Sequence, residues 1–89
     1  MIRTAQLDAD NRRNVKDGVE CYCCRCHKEL KNGQPRRFVT IRDWSFAEVV
    51  HPESFAEYNA TVSIAEQPGR FPVGMDCARR IGMEFTTAE

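Results

Sequence analysis

The sequence predicts a small α+β domain held together by a bound metal as much as by its core, and three observations carry that reading. The chain has 89 residues, a length at which a hydrophobic core alone gives little stability and an added staple is expected. Four of its five cysteines fall within residues 21–26, and the fifth is Cys77. A β-prone stretch, Arg37–Arg42, is followed by two segments with helix-start signals, at Pro52 and at Asp76. The expected order is an N-terminal arm or short helix over residues 1–18, then a single domain over residues 19–89. That domain comprises a two-cysteine knuckle, a β-hairpin and a closing helix.

The N-terminal expectation rests on Ile2, Ala5, Leu7, Ala9 and Val15, which show a weak helical period closed by Asp17-Gly18. Residues 19–22 read as a short strand leading into the cysteines. Asn32-Gly33 is a hairpin-turn signal, and Arg37-Phe38-Val39-Thr40-Ile41-Arg42 alternates with β-branched and aromatic residues, so a strand is expected there. A second strand is expected within Ser45–Val50. Pro52 suits a first helical turn, which predicts a helix over 52–58. Residues 60–65 continue it or form a strand, and Gln67-Pro68-Gly69 breaks the chain. For the closing helix, Asp76 is a good N-cap and Gly82 a plausible stop. The expected core is Phe38, Ile41, Trp44, Phe46, Val50, Phe55, Tyr58, Ile64, Phe71, Ile81 and Phe85.

The cysteines point to a metal because clustered thiols in a reducing compartment are seldom disulfides, and an odd total leaves one over. Two overlapping Cys-x-x-Cys pairs exist, Cys21 with Cys24 and Cys23 with Cys26. The residues that follow favour Cys23 and Cys26: Leu30 and Gly33 stand where a zinc knuckle leads into a hairpin. Cys21 and Cys24 remain as substitutes. Further candidates are His27, His51 and Cys77. His27 directly follows Cys26, and neighbouring side chains rarely reach one tetrahedral centre together, so it is left out. His51 ends an apolar stretch before Pro52. Cys77 sits in the first turn of the expected closing helix, where unpaired amides favour a thiolate.

The run Cys23, Cys26, Leu30, Gly33, Trp44 and His51-Pro52-Glu53-Ser54-Phe55 resembles a treble-clef zinc finger of the LIM or PARP-like kind. In that pattern two knuckle cysteines are followed, after a hairpin, by a histidine and three residues later by a cysteine. Ser54 stands at that last position here, and Cys77 is the obvious substitute. The segment Val73–Gly82 is also similar to the closing helix of small zinc-binding proteins, many of them phage encoded. The resemblance implies one structural zinc ion on Cys23, Cys26, His51 and Cys77.

Composition excludes several functions. Charges balance at 13 basic against 13 acidic residues, which removes the general phosphate attraction of a very basic domain. No apolar run is long enough to span a membrane, and the N-terminus shows no stretch of signal-peptide length, so a cytoplasmic protein is expected. Asp8, Asp10, Asp17 and Glu20 do not match a calcium loop, which needs Gly and Glu where Arg13 and Val19 stand. A site of three cysteines and a histidine is closed and its thiolates weaken the metal as a Lewis acid, so no enzyme is expected. Residues 21–46 carry Arg25, Lys28, Lys31, Arg36, Arg37 and Arg42 against Glu29 and Asp43, whereas residues 47–68 carry only acids. Such bipolar charge suits a protein partner; the resemblance to small phage-encoded zinc proteins implies an interaction adaptor or inhibitor that acts on host machinery. The alternative is a nucleic-acid binder. In both, Lys31, Arg36, Arg37, Arg42 and Trp44 are the expected contact residues.

Overall fold

The computed structural model describes residues 1–8, 14–15, 17–43 and 47–88. Its centre is a four-stranded antiparallel sheet in the order β1-β3-β2-β4. The strands are β1 (Thr4–Gln6), β2 (Arg36–Asp43), β3 (Glu48–Val50) and β4 (Gly69–Gly74). Two short helices, α1 (Phe55–Thr61) and α2 (Met75–Ile81), complete an α+β fold, with 3-10 turns at Pro52–Ser54, Ile64–Glu66 and Met83–Phe85. No helix among the described residues is long and apolar enough to cross a membrane.

β2 is the organising strand. Val39, Thr40 and Ile41 are buried in succession, which a sheet with one wet face does not allow, because alternate side chains point to opposite faces. Val39 and Ile41 join Val49, Val73 and Leu7 in the main core, where the cysteine segment and α2 cover the sheet through Cys23, Cys24, Leu30, Cys77, Ala78 and Ile81. On the other face, Thr40 lies in register with Val50, and Tyr58 of α1 is buried with its hydroxyl 3.5 Å from the Ile41 carbonyl. β2 and β3 form the expected hairpin, with a register shift between Ile41 and Asp43.

The expected arm or short helix at the N-terminus is corrected by the structure: residues 4–6 are an edge strand paired with β3, Ala5 opposite Val49. The spacing that matters is two, since Ala5 and Leu7 both turn to the core and Leu7 is fully buried. The Leu7 N–H donates to the Ala47 carbonyl at 2.7 Å. The N-terminal segment therefore belongs to the same sheet as residues beyond 19. Residues 9–13, on which part of the helical period fell, lie outside the described residues, as do Trp44 and Phe46 of the expected core.

β4 follows the expected break at Gln67–Gly69, a segment to which the sequence reading assigns no element, and it carries Pro72, a residue that a strand interior usually excludes. Its register explains the tolerance. Pro72 faces Phe38, but the Phe38 N–H and carbonyl are both taken by Thr87 on the opposite side, at 2.9 Å each. The missing proline N–H therefore removes no bond to β2, and the Pro72 carbonyl accepts from the Cys24 N–H at 2.9 Å. The closing helix begins two residues earlier than expected, with Gly74 at the N-cap and Asp76 in the first turn. It ends as expected at Gly82, whose φ of 116° suits glycine and whose N–H reaches the Ala78 carbonyl at 2.9 Å.

Candidate metal centre

The knuckle is a hydrogen-bonded turn. The Cys23 N–H donates to the Lys28 carbonyl at 2.9 Å, the His27 N–H to the Cys23 carbonyl at 2.8 Å and the Leu30 N–H to the Cys21 carbonyl at 3.0 Å. His27 closes the turn with a φ of 63°, a left-handed conformation that most side chains avoid. Its ring stands edge-on to Tyr22, 5.1 Å between centroids. The Asn32-Gly33 turn also forms, with Gly33 at φ 82°. It joins the knuckle to β2, and the Gln34 N–H bonds the Lys31 carbonyl at 2.9 Å.

This turn aims two thiols at α2. The Sγ atoms of Cys23, Cys26 and Cys77 all lie within 4.8 Å of one another. Thiolates bound tetrahedrally at about 2.3 Å from zinc stand about 3.8 Å apart, so small side-chain adjustments suffice to hold an ion. The overlapping pair goes elsewhere. Cys21 accepts from Arg36 Nη1 at 3.1 Å, and Cys24 packs into the core beneath β4 with a side chain that is almost fully buried. No disulfide joins any of the five cysteines. Cys23 and Cys26 meet Cys77 at one cavity, whereas Cys21 and Cys24 line a separate one with Tyr22, His27, Phe71 and Pro72.

His51 is not in the cluster, which corrects the expected ligand set. It directly follows β3 and caps the Pro52–Ser54 turn, its Nδ1 accepts from the Glu53 N–H at 3.0 Å, and its ring stands edge-on to Phe85 at 5.0 Å. Phe85 follows the end of α2, whereas Cys77 occupies the first turn of that helix, so the two residues sit at opposite ends of it. Ser54 is likewise occupied, its Oγ accepting from the Arg3 N–H at 2.9 Å while buried beside β1.

Arg25, between the two knuckle cysteines, was not singled out as a site residue. Its Nε donates to the Leu7 carbonyl at 2.8 Å, its Nη1 approaches Cys77 Sγ at 3.5 Å and its Nη2 lies 3.7 Å from Asp8. The contact with Cys77 strengthens the guanidinium's hold on its proton, against the opposing effect of burial. Cys77 itself is pushed up to about 11, first by burial and then by its neighbours Cys23 and Cys26, with Arg25 acting in the opposite direction. A cavity of about 490 Å³ opens beside the thiols; all three line it, together with Asp8, Arg25, Lys28, Asp76 and Arg80. Asp8 faces Arg25, and Asp76 pairs with Arg79 at 3.2 Å.

Of the expected contact residues, two are engaged inside the chain. Arg36 binds the Lys31 carbonyl at 2.7 Å and the Gln34 carbonyl at 3.3 Å besides Cys21. Arg37 holds the C-terminal segment through Thr86, at 2.9 Å to its Oγ1 and 3.2 Å to its carbonyl. Arg42 lies 3.7 Å from Glu48. Lys31 is exposed, and Trp44 lies outside the described residues. No family model, curated protein or solved structure matches the chain.

Proposed function

We propose that this chain is a small zinc-stabilised binding module that acts on a protein partner and has no catalytic activity of its own. The observation that carries the reading is the convergence of Cys23, Cys26 and Cys77, which brings the knuckle and the closing helix to one point. All-thiolate donor sets favour zinc over hard cations. A structural zinc site contributes folding free energy outright, an apparent ~10–16 kcal/mol in peptide systems at neutral pH. The fold is read as a treble-clef variant in which α2 supplies the thiol that the hairpin side lacks at Ser54.

A catalytic zinc usually sits beside a carboxylate base. Asp8 and Asp76 on the cavity wall are each held by an arginine, which supports the non-catalytic reading even though His51 does not close the site. The internal use of Arg36 and Arg37 takes these two cations away from the protein-partner and the nucleic-acid readings alike. The test is elemental analysis of the purified chain with chelator titration: one zinc per chain and cooperative unfolding on its removal are expected. Zero metal, or a fold unchanged by exhaustive chelation, overturns the zinc reading. Tight, salt-sensitive binding of a random-sequence oligonucleotide overturns the protein-partner reading.

A further inference from the structure

We infer that the metal at Cys23, Cys26 and Cys77 takes its fourth donor from outside the chain, and that this donor is a small anionic group entering through the cavity the three thiols share. The inference rests on the metal reading above and adds what the site is for. Zinc held by protein ligands is almost always four-coordinate, and an ion with three protein ligands and an accessible position binds a water or an exogenous ligand there. Among the described residues only these three thiols form such a group, and all three line the same cavity of about 490 Å³. An ion seated on them would border that space.

The charge of the wall selects the entrant. Arg25, Lys28 and Arg80 line it with Asp8 and Asp76. Asp8 is balanced by Arg25 and Asp76 by Arg79, while Lys28 and Arg80 make no ion pair among the described residues. The mouth thus has a local excess of positive charge beside an otherwise anionic cluster of thiolates. That combination attracts a monodentate anion, such as a carboxylate or thiolate side chain, and offsets the charge it adds at the metal. Asp8 lies on the wall, but its carboxylate is not within the group of mutually close donor atoms.

The test uses the full chain loaded with cobalt(II), whose visible bands report the donor set. Azide and a monothiol are titrated as anionic probes and imidazole as a neutral one, on wild type, Lys28→Glu/Arg80→Glu and Asp8→Asn. Saturable shifts of the cobalt bands by azide and the monothiol are expected. The charge-reversed variant should bind azide about tenfold more weakly, a loss of roughly one interaction of 1.4 kcal/mol, with its imidazole affinity unchanged. Cobalt bands that none of the probes moves overturn the inference while leaving the metal reading standing, because the chain then supplies its own fourth donor. A probe-free spectrum altered by Asp8→Asn overturns it in the same way. Absence of any thiolate-to-cobalt band sinks both.

Discussion

Arg25 reaches from the middle of the knuckle to Cys77 Sγ on α2, 3.5 Å away, while its Nε holds the Leu7 carbonyl at 2.8 Å. One side chain therefore ties the two cysteine segments to the end of the N-terminal strand. Groups that hydrogen-bond metal ligands orient them and tune their basicity, and their loss typically costs 10–100-fold in affinity. Arg25→Ala should weaken zinc by roughly that factor, measured by competition with a chromophoric chelator. Arg25→Lys should fall between, since a lysine amine cannot span both acceptors. Wild-type affinity in the alanine variant would mean the arginine only packs.

The elevated Cys77 thiol gives the site a definite pH response. Without metal, a folded value of about 11 against an ordinary 9.0 stabilises the protonated form. That contribution is present below the ordinary value and is lost as pH rises through about 11. With metal the sign reverses, because the bound thiolate must have given up its proton and acid competes for it. Stability of the loaded chain should therefore fall as pH falls below neutral. Three displaced protons allow apparent affinity to drop by up to roughly a thousandfold per pH unit. Metal retention that is flat from pH 8 to 5, followed by equilibrium dialysis, would contradict a three-thiolate site.

His51→Ala separates structure from ligation. The side chain caps the turn at Pro52–Ser54 and packs on Phe85, so its loss should cost about 1–2 kcal/mol in denaturant unfolding. Zinc content should stay at one per chain. Loss of the metal with the fold preserved would restore His51 to the ligand set.

These positions show how far the sequence could be read. Cys23 and Cys26 were legible because a knuckle is local, its hydrogen bonds closing within residues 21–30. Cys77 was legible from its place at the start of a helix. His51 misled because the residue type and its neighbours matched a pattern, whereas its position depends on which end of α2 meets the end of β3, a matter of long-range packing. The strand at Gly69–Gly74 was hidden for a similar reason. Pro72 forbids a central strand only if its missing N–H faces a partner, and Thr87, 49 residues from Phe38 in the chain, decides that it does not. The core was half legible: Ile41, Val50, Tyr58 and Ile81 are buried as expected, while the small residues Leu7, Leu30, Val49, Val73 and Ala78 fill space that aromatic side chains were expected to fill.

Arg36, an expected contact residue, is an internal clamp, so its removal should be felt in stability. Arg36→Ala leaves the Lys31 and Gln34 carbonyls without their guanidinium donor at the turn between knuckle and β2. Hydrogen bonds to a charged group are worth about 1.5–3 kcal/mol, less at a partly exposed site, and a loss of about 1–2 kcal/mol is expected. Arg42→Ala, at an exposed pair with Glu48, should change stability by less than about 1 kcal/mol. Equal effects from the two would mean that the Arg36 contacts are not formed in solution.

The two overlapping cysteine pairs supply the last test, because each makes an opposite demand. Cys23→Ser should abolish stoichiometric zinc and unfold the chain, since serine is a poor zinc ligand and the remaining donors are Cys26 and Cys77. Cys21→Ser removes only the sulfur against Arg36 and should keep one zinc with a stability within about 1 kcal/mol of wild type. Cys24→Ala, in the core, should keep the zinc while lowering stability by about 1–2 kcal/mol through the small cavity it leaves. Metal content and urea midpoints measured on the three variants separate the roles. Should Cys21→Ser lose the ion while Cys23→Ser keeps it, the register of the knuckle is the other one, and Arg36, not Arg25, is the cation beside the metal.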